Sequence, residues 1–150
     1  MKLSEFFSED DVALDMKASD KEATLHELVH LLELDADAEE MLFKLLKKRE
    51  ILGSTGIGKG VAIPHCRSLV VDRLRVAYGR KPGGLDFDAV DGKPVQHFFL
   101  IVAPPVEISN QYLPVLGKIA QFCKNPKNLA RLDEIDTQEQ FFKVLEQADV

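Results

Sequence analysis

The chain has 150 residues, 45% of them apolar and 29% charged, enough for one domain with a proper core. Its net charge of −6 argues against general nucleic-acid binding, which draws its affinity from a basic stripe. Two cysteines, Cys66 and Cys123, make no disulfide framework, and no run nears the roughly 18 apolar residues of a membrane span or a signal-peptide pattern, so the default location is cytoplasmic.

Val12, Leu14 and Met16 alternate with other residues and predict a short strand. Ser19-x-x-Glu22 reads as a capping box, opening a helix with Leu25, Leu28, Val29 and Leu32 on one face. Asp37-x-x-Glu40 reads as a second box, followed by a face of Ala38, Met41, Leu42 and Leu45. Lys44, Lys47, Lys48 and Arg49 crowd the end of that helix, where cations suit the macrodipole, and Gly53 is placed to terminate it. Val61–Ile63 and Leu74-Val76-Tyr78 predict strands, with turns at Gly83-Gly84 and Asp91-Gly92. Phe98–Val102 is apolar on both faces, as a central strand covered by helices on both sides would be. Ser109 or Asn110 is placed to cap a helix carrying Leu113, Leu116, Ala120 and Cys123, which Asn125-Pro126 breaks. Thr137-x-x-Gln140 caps a last helix with Phe141, Phe142 and Leu145. Interleaved helices and strands make the class α/β. No repeat or linker-like stretch divides residues 1–150, so a single domain is expected.

The segment from Gly53 to His65, Gly-Ser-Thr-Gly-Ile-Gly-Lys-Gly-Val-Ala-Ile-Pro-His, carries the chemistry. Four glycines in eight residues allow tight turning and exposed amides, and the amides of Ser54, Thr55, Gly56, Gly58 and Gly60 are candidates to cradle a phosphate. Pro64 stiffens the support that presents His65. A neutral imidazole nitrogen is a good nucleophile for phosphorus. Phosphoryl transfer then needs positioning and positive charge around the equatorial oxygens. Gly53-x-x-x-x-Gly58-Lys59 also matches most of a nucleotide-binding loop, but Gly60 stands where the magnesium-binding Ser or Thr belongs and the following residues read as strand. The bland alternative is a glycine turn beside a solvated or packed histidine.

This segment resembles the signature of the enzyme IIA domain of the bacterial phosphoenolpyruvate-dependent sugar phosphotransferase system, mannitol/fructose type, nearest to its stand-alone nitrogen-regulatory branch. The resemblance spans nearly the whole chain. It implies a small mixed sheet flanked by helices on both faces, no cofactor and no metal. It implies that His65 accepts phosphoryl from a histidine phosphocarrier protein, and that Arg49 lies near it to stabilise the phosphate. A IIB subunit or a regulatory target is the implied next partner, without membrane insertion, and phosphorylation adds about −1.5 to −2 charges, by analogy with phosphate esters, to switch such a target. The family's second histidine, at the start of the helix after the Pro-rich turn, is replaced here by Tyr112. That departure keeps open a non-catalytic interaction module on the same fold. A sugar-transport IIA subunit and a nitrogen-regulatory protein both fit a lone IIA unit.

The remaining candidates have plainer readings. Lys59 and Arg67 flank the motif, as surface charges or as recruiters of an acidic or phosphorylated partner. His97 reads as a strand histidine bonded to the backbone, or as a replacement for the missing second histidine. His26 and His30, four apart on one helix, have no third ligand pattern and read as helix-surface residues. Cys66 and His65, adjacent on a strand, point oppositely and share no site.

Overall fold

The computed structural model describes residues 2–106 and 110–150. Among these, six strands form one mixed sheet: β1 (Val12–Ala13), β2 (Gly56–Gly58), β3 (Val61–Ala62), β4 (His65–Arg67), β5 (Arg75–Leu85) and β6 (Val95–Ala103). Five α-helices cover it: α1 (Lys21–His30), α2 (Ala36–Leu52), α3 (Tyr112–Cys123), α4 (Pro126–Glu134) and α5 (Gln138–Gln147).

β6 is the middle of the sheet. It runs antiparallel to β5 on one side and parallel to β3 and then β4 on the other, while β2 closes a hairpin with β3 and β1 lies parallel to β5. Phe98 to Ala103 are all 0% exposed. Alternation along the strand sends Phe99, Ile101 and Ala103 into a core shared with α3, α4 and α5, and Phe98, Leu100 and Val102 into a second core shared with α1 and α2. The apolar run is thus the two-sided strand its composition predicts.

Several local expectations shift by one or two residues. Asp20, not Ser19, caps α1, accepting from the Ala23 N–H at 2.8 Å. Asp35 caps α2 through the Ala38 N–H at 2.8 Å, which puts Asp37 in the first turn beside the positive end of the helix. The buried face of α2 is Leu42, Phe43, Leu46 and Glu50, leaving Met41 and Leu45 exposed. Two stripes share Leu42, and packing selects the one that puts Phe43 under the His26 ring, at a centroid distance of 3.5 Å. α3 likewise buries Tyr112, Val115, Ile119, Phe122 and Cys123 and exposes Leu113. Its N-cap is Gln111, without a side-chain cap bond; Asn110 precedes it at φ 51°, and Ser109 lies outside the described residues.

Asn125-Pro126 does not merely end a helix. The Asn125 side chain accepts from the Lys127 N–H at 3.0 Å and Pro126 opens α4, where its missing N–H costs nothing. Gly83 and Gly84 do not turn the chain between strands: they lie inside β5 at positive φ, where the register to β6 slips. Gly53 ends α2 as expected, at φ 156°, and the Thr137–Gln140 box opens α5. Among the described residues no helix is long and apolar enough to cross a membrane.

Candidate active site

β3 stops at Ala62 and β4 starts at His65, with Pro64 between them. Both strands pair with β6, Val61 opposite His97 and His65 opposite Ile101. The Pro64 carbonyl still accepts from the Ile101 N–H at 3.0 Å, so the break is a kink on a continuous support. His65 stands half-buried on this support.

Its Nδ1 lies 2.7 Å from the Ile63 carbonyl oxygen. A carbonyl only accepts, so Nδ1 carries the proton and donates. In the neutral ring that leaves the lone pair on Nε2, the other nitrogen. The backbone thereby selects the tautomer that leaves the Nε2 lone pair unprotonated.

Beside the ring stands Tyr112, and two guanidinium groups act on that tyrosine. The Tyr112 ring, on the first turn of α3, lies 6.3 Å from His65 by centroids. The Arg67 guanidinium sits over the Tyr112 ring at 4.5 Å and donates to the Pro104 carbonyl at 2.9 Å. Arg49 donates to the Gly53 carbonyl at 2.8 Å and so closes the end of α2. The Tyr112 phenol is pushed up to about 12, chiefly by burial and then by Cys66, while the charges of Arg67 and Arg49 pull it down. Arg67, Arg49 and Cys66 therefore all act on the same phenol beside His65. The Cys66 thiol is itself pushed up to about 12 by burial, which keeps it protonated and poorly nucleophilic. The N-terminus of α3 adds the positive end of its dipole to the same region.

The glycine segment is divided. Thr55 pairs back toward the histidine, its carbonyl accepting from the Ile63 N–H at 3.0 Å. Its own N–H and hydroxyl go to the Glu50 carboxylate, and the Gly56 N–H goes to Ser54 Oγ at 3.0 Å. Ser54 Oγ in turn donates to the Phe87 carbonyl at 2.8 Å. Gly58 and Gly60 lie at the other end of the hairpin, where the Gly60 carbonyl accepts from the N–H groups of Gln96 and His97 at 2.9 Å each. Along β6 that end is about 13 Å from the position opposite His65, at four residues of about 3.3 Å each. The hairpin tip therefore does not line the histidine's surroundings, and the amides of Thr55 and Gly56 are already taken by Glu50 and Ser54. Lys59 goes with the tip, its N–H donating to Asp91 at 3.1 Å. Of the two flanking cations, Arg67 alone joins the site.

Glu50 was not marked by any motif. Its signal is its place on the buried stripe Leu42, Phe43, Leu46 and Glu50, where an acid needs partners. The Ile63 carbonyl leaves no sequence signal, because any residue there supplies one.

The other histidines lie elsewhere. His26 stacks on Phe43, and His30 Nδ1 meets Glu39 at 3.2 Å. Among the described residues no three His, Cys, Asp or Glu side chains gather as a metal site requires. His97, 1% exposed, bonds side chains rather than backbone through its ring: Nδ1 meets the Tyr78 hydroxyl at 2.7 Å and Nε2 meets Asp133 at 3.0 Å. It ties β6 to β5 and α4, four residues along the strand from the position opposite His65, and does not stand in for a second site histidine. Burial holds the His97 imidazole below its ordinary value, although Asp133 acts in the opposite sense. A histidine depressed on folding stabilises the fold fully above its unfolded value, about 6.5, and loses that contribution as pH falls through it toward the folded value. The melting temperature is therefore expected to drop from about pH 7 to pH 5, and His97→Gln to flatten that slope; equal slopes in thermal melts of both proteins would contradict it.

Comparison with known proteins gives one consistent result. A family model described as "Phosphoenolpyruvate-dependent sugar phosphotransferase system, EIIA 2" matches residues 5–148. The "Nitrogen regulatory protein" of Pseudomonas aeruginosa is 32% identical over 127 residues, covering 83% of this chain and 82% of that protein. The "PTS system fructose-specific EIIABC component" of Bacillus subtilis is 26% identical over 151 residues; the match takes in 99% of this chain, which spans only 24% of that protein. Among solved structures, the "Nitrogen Regulatory Protein IIA-Ntr" of Neisseria meningitidis superposes with a TM-score of 0.86 at 32% identity, over 95% of this chain and 98% of that one. With a histidine held in one tautomer at the Pro64 kink of this sheet, and a family match over nearly its whole length, the chain belongs to the EIIA type 2 family of the phosphoenolpyruvate-dependent sugar phosphotransferase system.

Proposed function

We propose that the chain is a phosphohistidine carrier in which Nε2 of His65 accepts phosphoryl from the histidine of a phosphocarrier protein, in the cytoplasm. The observation that carries this reading is the Nδ1–H bond to the Ile63 carbonyl at 2.7 Å, which leaves Nε2 with its lone pair. As Nε2 bonds to phosphorus, the bond to the donor's imidazole nitrogen breaks, and that nitrogen leaves with the electron pair. Charge on the equatorial oxygens is met by Arg67, by Arg49 and by the N-terminal end of α3. Tyr112 stacks under Arg67 and holds it over the site; as a neutral phenol it offers one hydrogen bond where a second histidine would offer a charge.

A regulatory role of the nitrogen type is favoured. The P. aeruginosa and N. meningitidis relatives carry that name at 32% identity over most of both chains. The reading as a sugar-transport subunit draws on the B. subtilis relative, at 26% identity. In the experiment the protein is incubated with phosphoenolpyruvate, enzyme I and phosphocarrier protein, and its intact mass is followed. A gain of one phosphoryl group, acid-labile and mapped to His65, is expected. No gain in mass overturns the carrier reading in favour of a non-catalytic module. Onward transfer to a IIB subunit at a rate matching its uptake would move the assignment to sugar transport.

A further inference from the structure

Glu50 follows Arg49 in α2, and its side chain is only 5% exposed. An ionised carboxylate in that position is costly unless every lone pair is used. Here it accepts from the Thr55 N–H, with Oε2 at 3.1 Å, from the Thr55 hydroxyl, and from the Lys21 ammonium at 3.0 Å. Lys21 is itself held over the Phe87 ring, 4.9 Å from its centroid. Beyond Thr55 the bonds continue in one direction. The Thr55 carbonyl accepts from the Ile63 N–H at 3.0 Å, and the Ile63 carbonyl accepts from His65 Nδ1 at 2.7 Å. Lys21, Glu50, Thr55, Ile63 and His65 thus form one uninterrupted series from α1 to the imidazole. It crosses three elements that sequence separation keeps apart.

The series matters because its last link is set by backbone position. The Ile63 carbonyl belongs to a residue next to the Pro64 kink, outside the regular part of β3. What pins Ile63 from the hairpin side, through its N–H, is Thr55, and what pins Thr55 is the carboxylate. We infer that Glu50, acting through Thr55, is a positioning residue for His65: it holds the Ile63 carbonyl where it selects the Nδ1–H tautomer and so keeps the Nε2 lone pair available. This rests on the reading of His65 as phosphoryl acceptor for its functional consequence, and on geometry alone for the tautomer.

The two parts are separated by two readouts on the full chain. The first is the long-range proton–nitrogen spectrum of histidine-labelled, unphosphorylated protein, which reports the His65 tautomer. The second is the rate of phosphorylation by phosphocarrier protein, per folded molecule. Glu50→Gln keeps the shape and removes the charge; Thr55→Val removes the hydroxyl and keeps the volume. Both are expected to mix the His65 tautomers and to slow phosphorylation about tenfold, the scale of one hydrogen bond to a charged group. Thr55→Ser is expected to recover most of what Thr55→Val loses, in both readouts, and this pair carries the test if Glu50→Gln does not fold. A single Nδ1–H tautomer in Thr55→Val or Glu50→Gln overturns the inference, whether the rate falls or not, because the effect would then not pass through the imidazole. Mixed tautomers in the variants, with no phosphorylation of the wild type, would leave the series standing and overturn the acceptor reading instead.

Discussion

His65→Ala is expected to abolish phosphorylation while the protein remains folded. His65 is half-buried at the start of β4, and its ring makes one hydrogen bond to the backbone. Losing that bond costs about 0.5–1.5 kcal/mol. The sheet around it does not depend on the ring, because β4 pairs with β6 through backbone at His65, Cys66 and Arg67. Transfer is expected to depend on it entirely. Tyr112 holds its proton up to about 12 and Cys66 does the same, so neither supplies a substitute nucleophile near neutral pH. His97 is enclosed between Tyr78 and Asp133. Circular dichroism and a thermal melt establish folding, and acid-labile label from phosphoenolpyruvate establishes transfer. Undiminished label on a folded His65→Ala protein would place the acceptor on another residue.

Arg49→Ala is expected to separate transfer from stability. The side chain closes the C-terminal end of α2 through the Gly53 carbonyl, at 2.8 Å. That bond and the charge at a helix end are together worth about 1–2 kcal/mol. An arginine that meets the charge of a transferring phosphoryl group is worth far more, on the order of 10³-fold in rate. Its charge acts on the Tyr112 phenol, whose ring lies 6.3 Å by centroids from His65. Transfer should therefore fall at least about a hundredfold in a protein that melts only a few degrees lower. Arg49→Lys keeps a charge but loses the planar fork, and should recover only part of the rate. A melting temperature lowered alone, with transfer per folded molecule unchanged, would make Arg49 a helix cap and nothing more.

What could be read without coordinates was whatever is encoded within a few residues. The two-sided apolar run Phe98–Val102 named the central strand, because a strand buried on both faces cannot alternate. The Thr137–Gln140 box and the glycine after α2 marked helix ends, because caps act over three or four residues. The Pro64-His65 step singled out the candidate acceptor for the same reason: its stiffness is local. The chain alone therefore determined the α/β class, the helices on both faces and the histidine to test.

Tertiary packing decided the rest. An apolar stripe of period 3.6 reads nearly as well one residue over, so only the contact of Phe43 with His26 and of Glu50 with Thr55 settled which face of α2 is inside. The glycines of the motif look alike in sequence, yet the hairpin returns Thr55 to Ile63 and carries Gly58 and Gly60 away to Gln96 and His97. Pro126 reads as a breaker until Asn125 is seen to cap the helix it opens. The tautomer of His65 is the sharpest case. It is set by a main-chain carbonyl that every residue type possesses, and by a carboxylate thirteen positions from Ile63 in sequence but two hydrogen bonds away in space. Residue identity carries no record of where a carbonyl will point; the sheet, the Pro64 kink and the buried charge of Glu50 supply it together.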